Sequence, residues 1–125
     1  MNAIRQAQNA YGSGAQPIKT TRDNEYDSFA RITHRIKNAA ARGQAGFPDL
    51  VAALHDNRRL WTILVTDVAD KENPLPADLK ARIVYLAEFT EFHSRKVLRD
   101  GAEPGPLIEI NAAIMSGLHP RRHAS

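Results

Sequence analysis

Two long amphipathic runs, spanning Phe47 to Val97 and joined at Asn73-Pro74-Leu75-Pro76, constrain this chain more than any other feature. In the first run Leu50, Leu54, Trp61, Leu64 and Val68 fall on one heptad seam, the spacing of a helix that buries a single face. Asn57 takes the seam position between Leu54 and Trp61. An amide there must be hydrogen-bonded or face a partner, because burying it unpaired is costly. In the second run Leu79, Ile83, Leu86 and Val97 share a seam interrupted by Thr90 and His93, while Tyr85, Phe89 and Phe92 form a separate aromatic row. A helix with two apolar faces has more surface to bury than one neighbour covers. The pattern points to a helical protein that holds another polypeptide.

Punctuation along the chain sets the expected helix ends. Pro48 suits a first helical turn, where its missing N–H has no intrahelical partner, and Phe47 can staple onto the following turn. That helix runs to about Ala69. The connection through Asp70, Asn73, Pro74 and Pro76 is short, which predicts an antiparallel hairpin with a second helix from Pro76 or Ala77 to just before Gly101. Glu103-Pro104-Gly105-Pro106 breaks the chain again. Leu107, Ile108, Asn111, Ile114, Met115 and Leu118 then mark a last short helix, ended by Pro120. Upstream, Thr20 to Asn24 offers capping oxygens with Glu25 to complement the dipole, and Tyr26, Phe29, Ala30, Thr33, Ile36 and Ala40 follow at helical spacing. Gly43 supplies the left-handed stop after Arg42. Asn2 to Tyr11 has few large apolar side chains, so a helix there is marginal unless docked, and Gly12-Ser13-Gly14-Ala15-Gln16-Pro17 reads as a flexible break. No segment alternates with a strand period. The expected architecture is all-α: a single domain over residues 1–125, a small bundle of four main helices plus a marginal N-terminal helix. Residues 1–20 are expected as a flexible or docking arm and 119–125 as a disordered basic tail.

Composition removes most chemistry. At 125 residues the chain suits one domain, and 42% hydrophobic with 25% charged residues is ordinary for a soluble fold. With no cysteine, disulfides, thiolate metal sites and cysteine nucleophiles are excluded. No stretch approaches the ~20 apolar residues of a membrane span, and the N-terminus lacks the pattern of an export signal, so a cytoplasmic location is expected. His34, His55 and His93 have no second strong ligand one turn away, and Pro120 breaks the helix that would align His119 with His123. His93 and Ser94 are adjacent and so do not face each other; a histidine hydrogen-bonded at the bundle edge is the plainer reading. Asp49, Asp56, Asp67 and Asp70 are spread around their helix rather than paired for acid–base work. Gly12-Ser13-Gly14 lacks both the strand and the lysine of a phosphate loop. No enzyme activity, metal or cofactor is expected. The net charge of +3 is mild, and the groups Arg31/Arg35/Lys37/Arg42, Arg58-Arg59, Arg95-Lys96-Arg99 and Arg121-Arg122 are interleaved with acids or far apart, as on ordinary wet helix faces.

A wider set of residues resembles one family. Asn57-Arg58-Arg59-Leu60-Trp61, Asp67-Val68-Ala69, Asn73-Pro74-Leu75-Pro76, Arg82-Ile83, Leu86-Ala87-Glu88-Phe89 and His93-Ser94 look like the FlaF family of flagellar biosynthesis regulators. The closing Glu109 to Leu118 segment, the opening Ala10-Tyr11 and the Tyr26-x-x-Phe29-Ala30-Arg31-Ile32-Thr33 helix are similar to it as well. The resemblance covers Tyr11 to Leu118; the basic tail departs from it. It implies a cytoplasmic protein without enzymatic activity that binds flagellin before export and promotes its production and secretion, working alongside or against the translation repressor FlbT. Surplus apolar helix surface matches a chaperone; flagellin as the ligand comes from the resemblance alone.

The expected partner-binding residues are Arg58, Arg59, Tyr85, Phe89, Phe92 and Arg95. The aromatic row is expected to form, with the helix before or after the hairpin, a groove for an amphipathic flagellin segment. Arg58 and Arg59 point away from the Trp61 seam and are candidates to pair with acids on the partner. Trp61 is expected in the core, and Asn57 at the loop near Gly105 or bonded within the bundle. Two rival functions remain: an RNA-binding post-transcriptional regulator of flagellin expression, disfavoured by the lack of a dense basic stripe or stacking platform, and a structural adaptor of the export apparatus.

Overall fold

A computed structural model describes residues 21–118. The expected N-terminal arm and basic tail, His119 and His123 with them, lie outside the described residues. Four helices follow in order: α1 (Thr21–Ala41), α2 (Phe47–Ala69), α3 (Ala77–Asp100) and α4 (Gly105–Leu118), with a 3-10 turn at Gly43–Gly46. The expected all-α bundle is present, and α2 and α3 begin and end within a residue or so of their expected places, whereas α4 starts at Gly105, inside the expected Glu103–Pro106 break.

Each end has a local cause. After α1, Gly43 takes φ +62, a left-handed conformation costly for other residues. Gly46 lies against the end of α1, where an added Cβ would sit 2.1 Å from the Ala39 carbonyl oxygen. The short 3-10 link between them was not expected from sequence; it lets α2 start at once, with Pro48 and Asp49 in its first turn. The hairpin loop is held by turn chemistry: the Asp70 carboxylate accepts the Glu72 N–H at 2.8 Å, and Asn73 Oδ1 accepts the Leu75 N–H at 3.0 Å. Gly101, at φ +73, closes α3, with its N–H and that of Ala102 bonded back to the carbonyls of Val97 and Lys96.

α1 packs on α2 and α4, α2 also packs on α3, and α3 meets α4. The core has two apolar clusters. One gathers Ile32, Ile36, Ala39, Leu50, Ala53, Leu54, Val97 and Leu107; the other gathers Phe29, Trp61, Leu64, Val68 and Ile83. Along every helix a buried polar residue falls between the two: Thr33 on α1, Asn57 on α2, Thr90 and Ser94 on α3, Asn111 on α4. The α2 seam is buried as expected. The α3 seam is buried only in part: Ile83, Thr90 and Val97 are inside as expected, but Leu79 stays 39% exposed in the first turn, and the inner face turns to Ser94 instead of His93. His93 sits at the bundle edge, its Nε2 2.7 Å from the Glu103 carbonyl.

Candidate functional site

At the polar layer, Asn111 is the hub. Its Oδ1 accepts the Trp61 indole N–H at 2.9 Å, and its Nδ2 donates to Asn57 Oδ1 at 2.8 Å and to Thr33 Oγ1 at 3.0 Å. The amide in the heptad seam is thus bonded within the bundle. Trp61, 2% exposed and edge-on to Phe29 with ring centroids 5.7 Å apart, is a core anchor. Among the described residues three buried side-chain polar atoms have no hydrogen-bond partner: Asn57 Nδ2, Thr90 Oγ1 and Ser94 Oγ. All three belong to α2 or α3.

Beside this layer a groove of about 480 Å³ opens between α2 and α3. Trp61, Thr62, Val65 and Thr66 line it from α2, Val84, Ala87 and Thr90 from α3. The Thr62 and Thr66 hydroxyls donate to the carbonyls one turn back on their own helix, Arg58 at 3.0 Å and Thr62 at 2.8 Å. With those hydroxyls satisfied, the wall offers methyl groups, an apolar surface built partly from polar residue types.

Charges rim the groove. Arg58 donates to both oxygens of Glu91 through Nε, at 2.9 Å, and Nη2, and Arg95 reaches the same carboxylate at 3.0 Å. The bond from Arg58 is the chief cause holding the Glu91 carboxyl below the usual glutamate range, and it raises Arg58 in turn. One carboxylate stands between two guanidiniums, and Glu88 faces the groove one turn back from Glu91.

The six expected partner residues do not form one patch. Arg58 and Arg95 meet at Glu91. Arg58 therefore finds its acid inside the chain, a correction to its expected pairing with a partner, because the antiparallel hairpin sets Glu91 opposite it. Arg59 is exposed, near enough to Asp56 to add to the lowering of that carboxyl, which Arg35 dominates by a 2.8 Å bond. Tyr85, 65% exposed, and Phe92, 53% exposed, stand on the outer face of α3, with Lys96 Nζ 5.7 Å from the Phe92 ring centroid. Phe89 is half-buried and stacks on His93 at 5.5 Å. The aromatic row does not line the groove, contrary to expectation: on a 3.6-residue period Val84, Ala87 and Glu91 occupy the strip facing α2, with Tyr85 and Phe92 around the corner. Sequence reasoning missed Thr62, Val65, Thr66, Val84, Ala87 and Glu91. Two signals existed: Val51, Arg58 and Val65 recur every seven residues beside the seam, and Glu91 with Arg95 is an i,i+4 pair.

Among the described residues no group of three histidines or carboxylates is placed to hold a metal ion, and no helix is long and apolar enough to cross a membrane. No curated protein and no solved structure matches the chain. The family model described as flagellar protein FlaF matches residues 7–118, covering all four helices and the groove between α2 and α3. By that match the chain belongs to the FlaF family of flagellar proteins.

Proposed function

We propose that this protein is a cytoplasmic flagellin-binding chaperone and regulator that promotes flagellin synthesis and secretion during flagellum assembly, in functional interplay with FlbT. The observation that carries the reading is the apolar surface of α3 left exposed among the described residues, where Tyr85 and Phe92 are more than half exposed beside the apolar groove shared with α2. Isolated exposed aromatics are ordinary, but two on one helix face bordering an apolar groove mark a surface for another chain. Family membership supplies the flagellar context. An amphipathic helical end of flagellin fits such a surface, and covering it before export keeps the monomer from assembling early. If the segment orders only on binding, that cost offsets part of the contact energy and permits release.

Size-exclusion chromatography of the full chain with purified monomeric flagellin, at low and high salt, tests this reading. A complex at both salts is expected, because apolar contact dominates. An RNA-binding regulator would instead bind RNA with an affinity that collapses as salt rises, and an adaptor of the export apparatus would form stable oligomers without flagellin. Absence of any complex with flagellin sinks the proposal.

A further inference from the structure

Resting on the flagellin-binding reading, we propose that the groove between α2 and α3 is the seat, and that its occupant is an amphipathic flagellin helix with a specific charge pattern. That helix carries a carboxylate at one end of its apolar row and a basic side chain about two turns further on.

Shape sets the kind of guest. A groove of about 480 Å³ cannot swallow a helix, whose diameter with side chains is ~10–12 Å, but it takes one row of its side chains. The row must be aliphatic, because the wall is made of Val65, Val84, Ala87 and the methyls of Thr62 and Thr66, and the one unpartnered hydroxyl of the lining, Thr90 Oγ1, is buried out of a guest's reach.

Charge sets the direction. At one end Glu91 is shared by Arg58 and Arg95, which leaves one guanidinium's worth of positive charge uncompensated. Arg95 also lines the adjoining surface hollow with Phe92, Lys96 and Arg99, where Asp100 is the one acid, so the positive field continues past the groove mouth. Seven residues back along α3, or ~10 Å at 1.5 Å per residue, Glu88 faces the groove as a carboxylate. The complementary helix places its acid against Arg95 and its base against Glu88. A nucleic acid, acidic throughout, meets Glu88 and Glu91 on the same wall and is disfavoured.

The test titrates the full chain with purified monomeric flagellin from the same bacterium, comparing Arg95→Glu, Glu88→Lys and Thr66→Trp, with Lys37→Glu on the exposed face of α1 as the net-charge control. Both charge reversals are expected to weaken binding about tenfold at low salt, mainly through slower association, with the difference shrinking at high salt. Thr66→Trp, which fills the groove from an exposed wall position, weakens binding about tenfold or more at either salt. Lys37→Glu matches wild type, and melting curves confirm that all four variants fold. If wild type binds flagellin and the three groove variants bind it equally well, the seat is elsewhere and the inference is overturned while the chaperone reading stands. If wild type does not bind flagellin, both fall. Tighter binding of a labelled oligoribonucleotide than of flagellin, abolished by Arg95→Glu, overturns the inference in favour of RNA.

Discussion

Replacing Asn111 with leucine, which keeps the branching and the number of side-chain heavy atoms, probes what the polar layer contributes. Asn111 makes three buried hydrogen bonds, to Trp61, Asn57 and Thr33. Losing them at a net ~1 kcal/mol each costs about 3 kcal/mol. The indole N–H, buried without an acceptor, adds ~1–3 kcal/mol, while burying leucine's carbons returns about 1.5–3 kcal/mol. The net expectation is a loss of about 3 kcal/mol, or roughly 12–24 °C in melting temperature for a domain of this size. Trp61 is the sole tryptophan, so its fluorescence in urea titrations reports on this layer while circular dichroism reports on the helices. Trp61→Phe removes the stranded donor. The Trp61→Phe/Asn111→Leu double variant, followed by circular dichroism, should therefore be less destabilised than the sum of the singles by about 1–2 kcal/mol. A loss below about 1 kcal/mol in Asn111→Leu, or strict additivity in the double variant, refutes the reasoning.

Other substitutions probe the same fold. Thr90→Val removes a buried hydroxyl that has no partner and should raise stability by about 1 kcal/mol, read as a higher melting temperature. Gly46→Ala drives a Cβ into the Ala39 carbonyl and should cost about 1–3 kcal/mol through overpacking; Gly43→Ala meets no neighbour but carries φ +62, a strain of ~1–2 kcal/mol. Chemical denaturation of each separates crowding from backbone strain. Glu91 has its folded pKa lowered by Arg58, so its contribution is complete above the unfolded glutamate pKa of ~4.3 and is lost as pH falls through the folded value. Glu91→Gln should be less stable than wild type at neutral pH by under about 1 kcal/mol, and the gap should close in acid; a pH-independent gap contradicts the linkage.

The helices were legible because their signals are local. Gly43, Pro48, the Asn73–Pro76 loop and Gly101 each act within a turn of themselves, so boundaries could be placed without tertiary knowledge. The α2 seam was legible because six positions repeat the heptad. The α3 inner face was not, since Thr90, His93 and Ser94 offer similar polarity, and which of them turns inward depends on the rotation of α3 against α2. The groove was hidden for the same reason. Thr62 and Thr66 read as solvent-facing until their hydroxyls are seen bonded to their own helix. Tyr85 and Phe92 read correctly as surplus apolar surface, but their helical phase alone did not say which gap they border. Arg58 pairs with Glu91 across 33 residues, a separation that no i,i+4 rule reaches.

The division of burial among the helices predicts which one yields. α2 buries six apolar residues along 23, whereas α3 buries Ile83 and Val97 along 24, with Thr90 and Ser94 filling the rest of its inner face. Those two hydroxyls have no partner, and the Arg58–Glu91–Arg95 cluster that ties α3 to α2 is partly exposed, a kind of ion pair that contributes little. α3 is thus held by two aliphatic side chains, a few half-buried ones and a weak charged clasp, and its local opening should lie well below the global unfolding energy. In amide hydrogen exchange the middle of α3 should exchange faster than the middle of α2, and a bound helix in the groove should slow exchange most between Val84 and Arg95. Equal protection in the two helices of the free protein would show that the polar layer holds α3 as firmly as the apolar seam holds α2, and the guest would then bind a rigid surface instead of tightening a loose one.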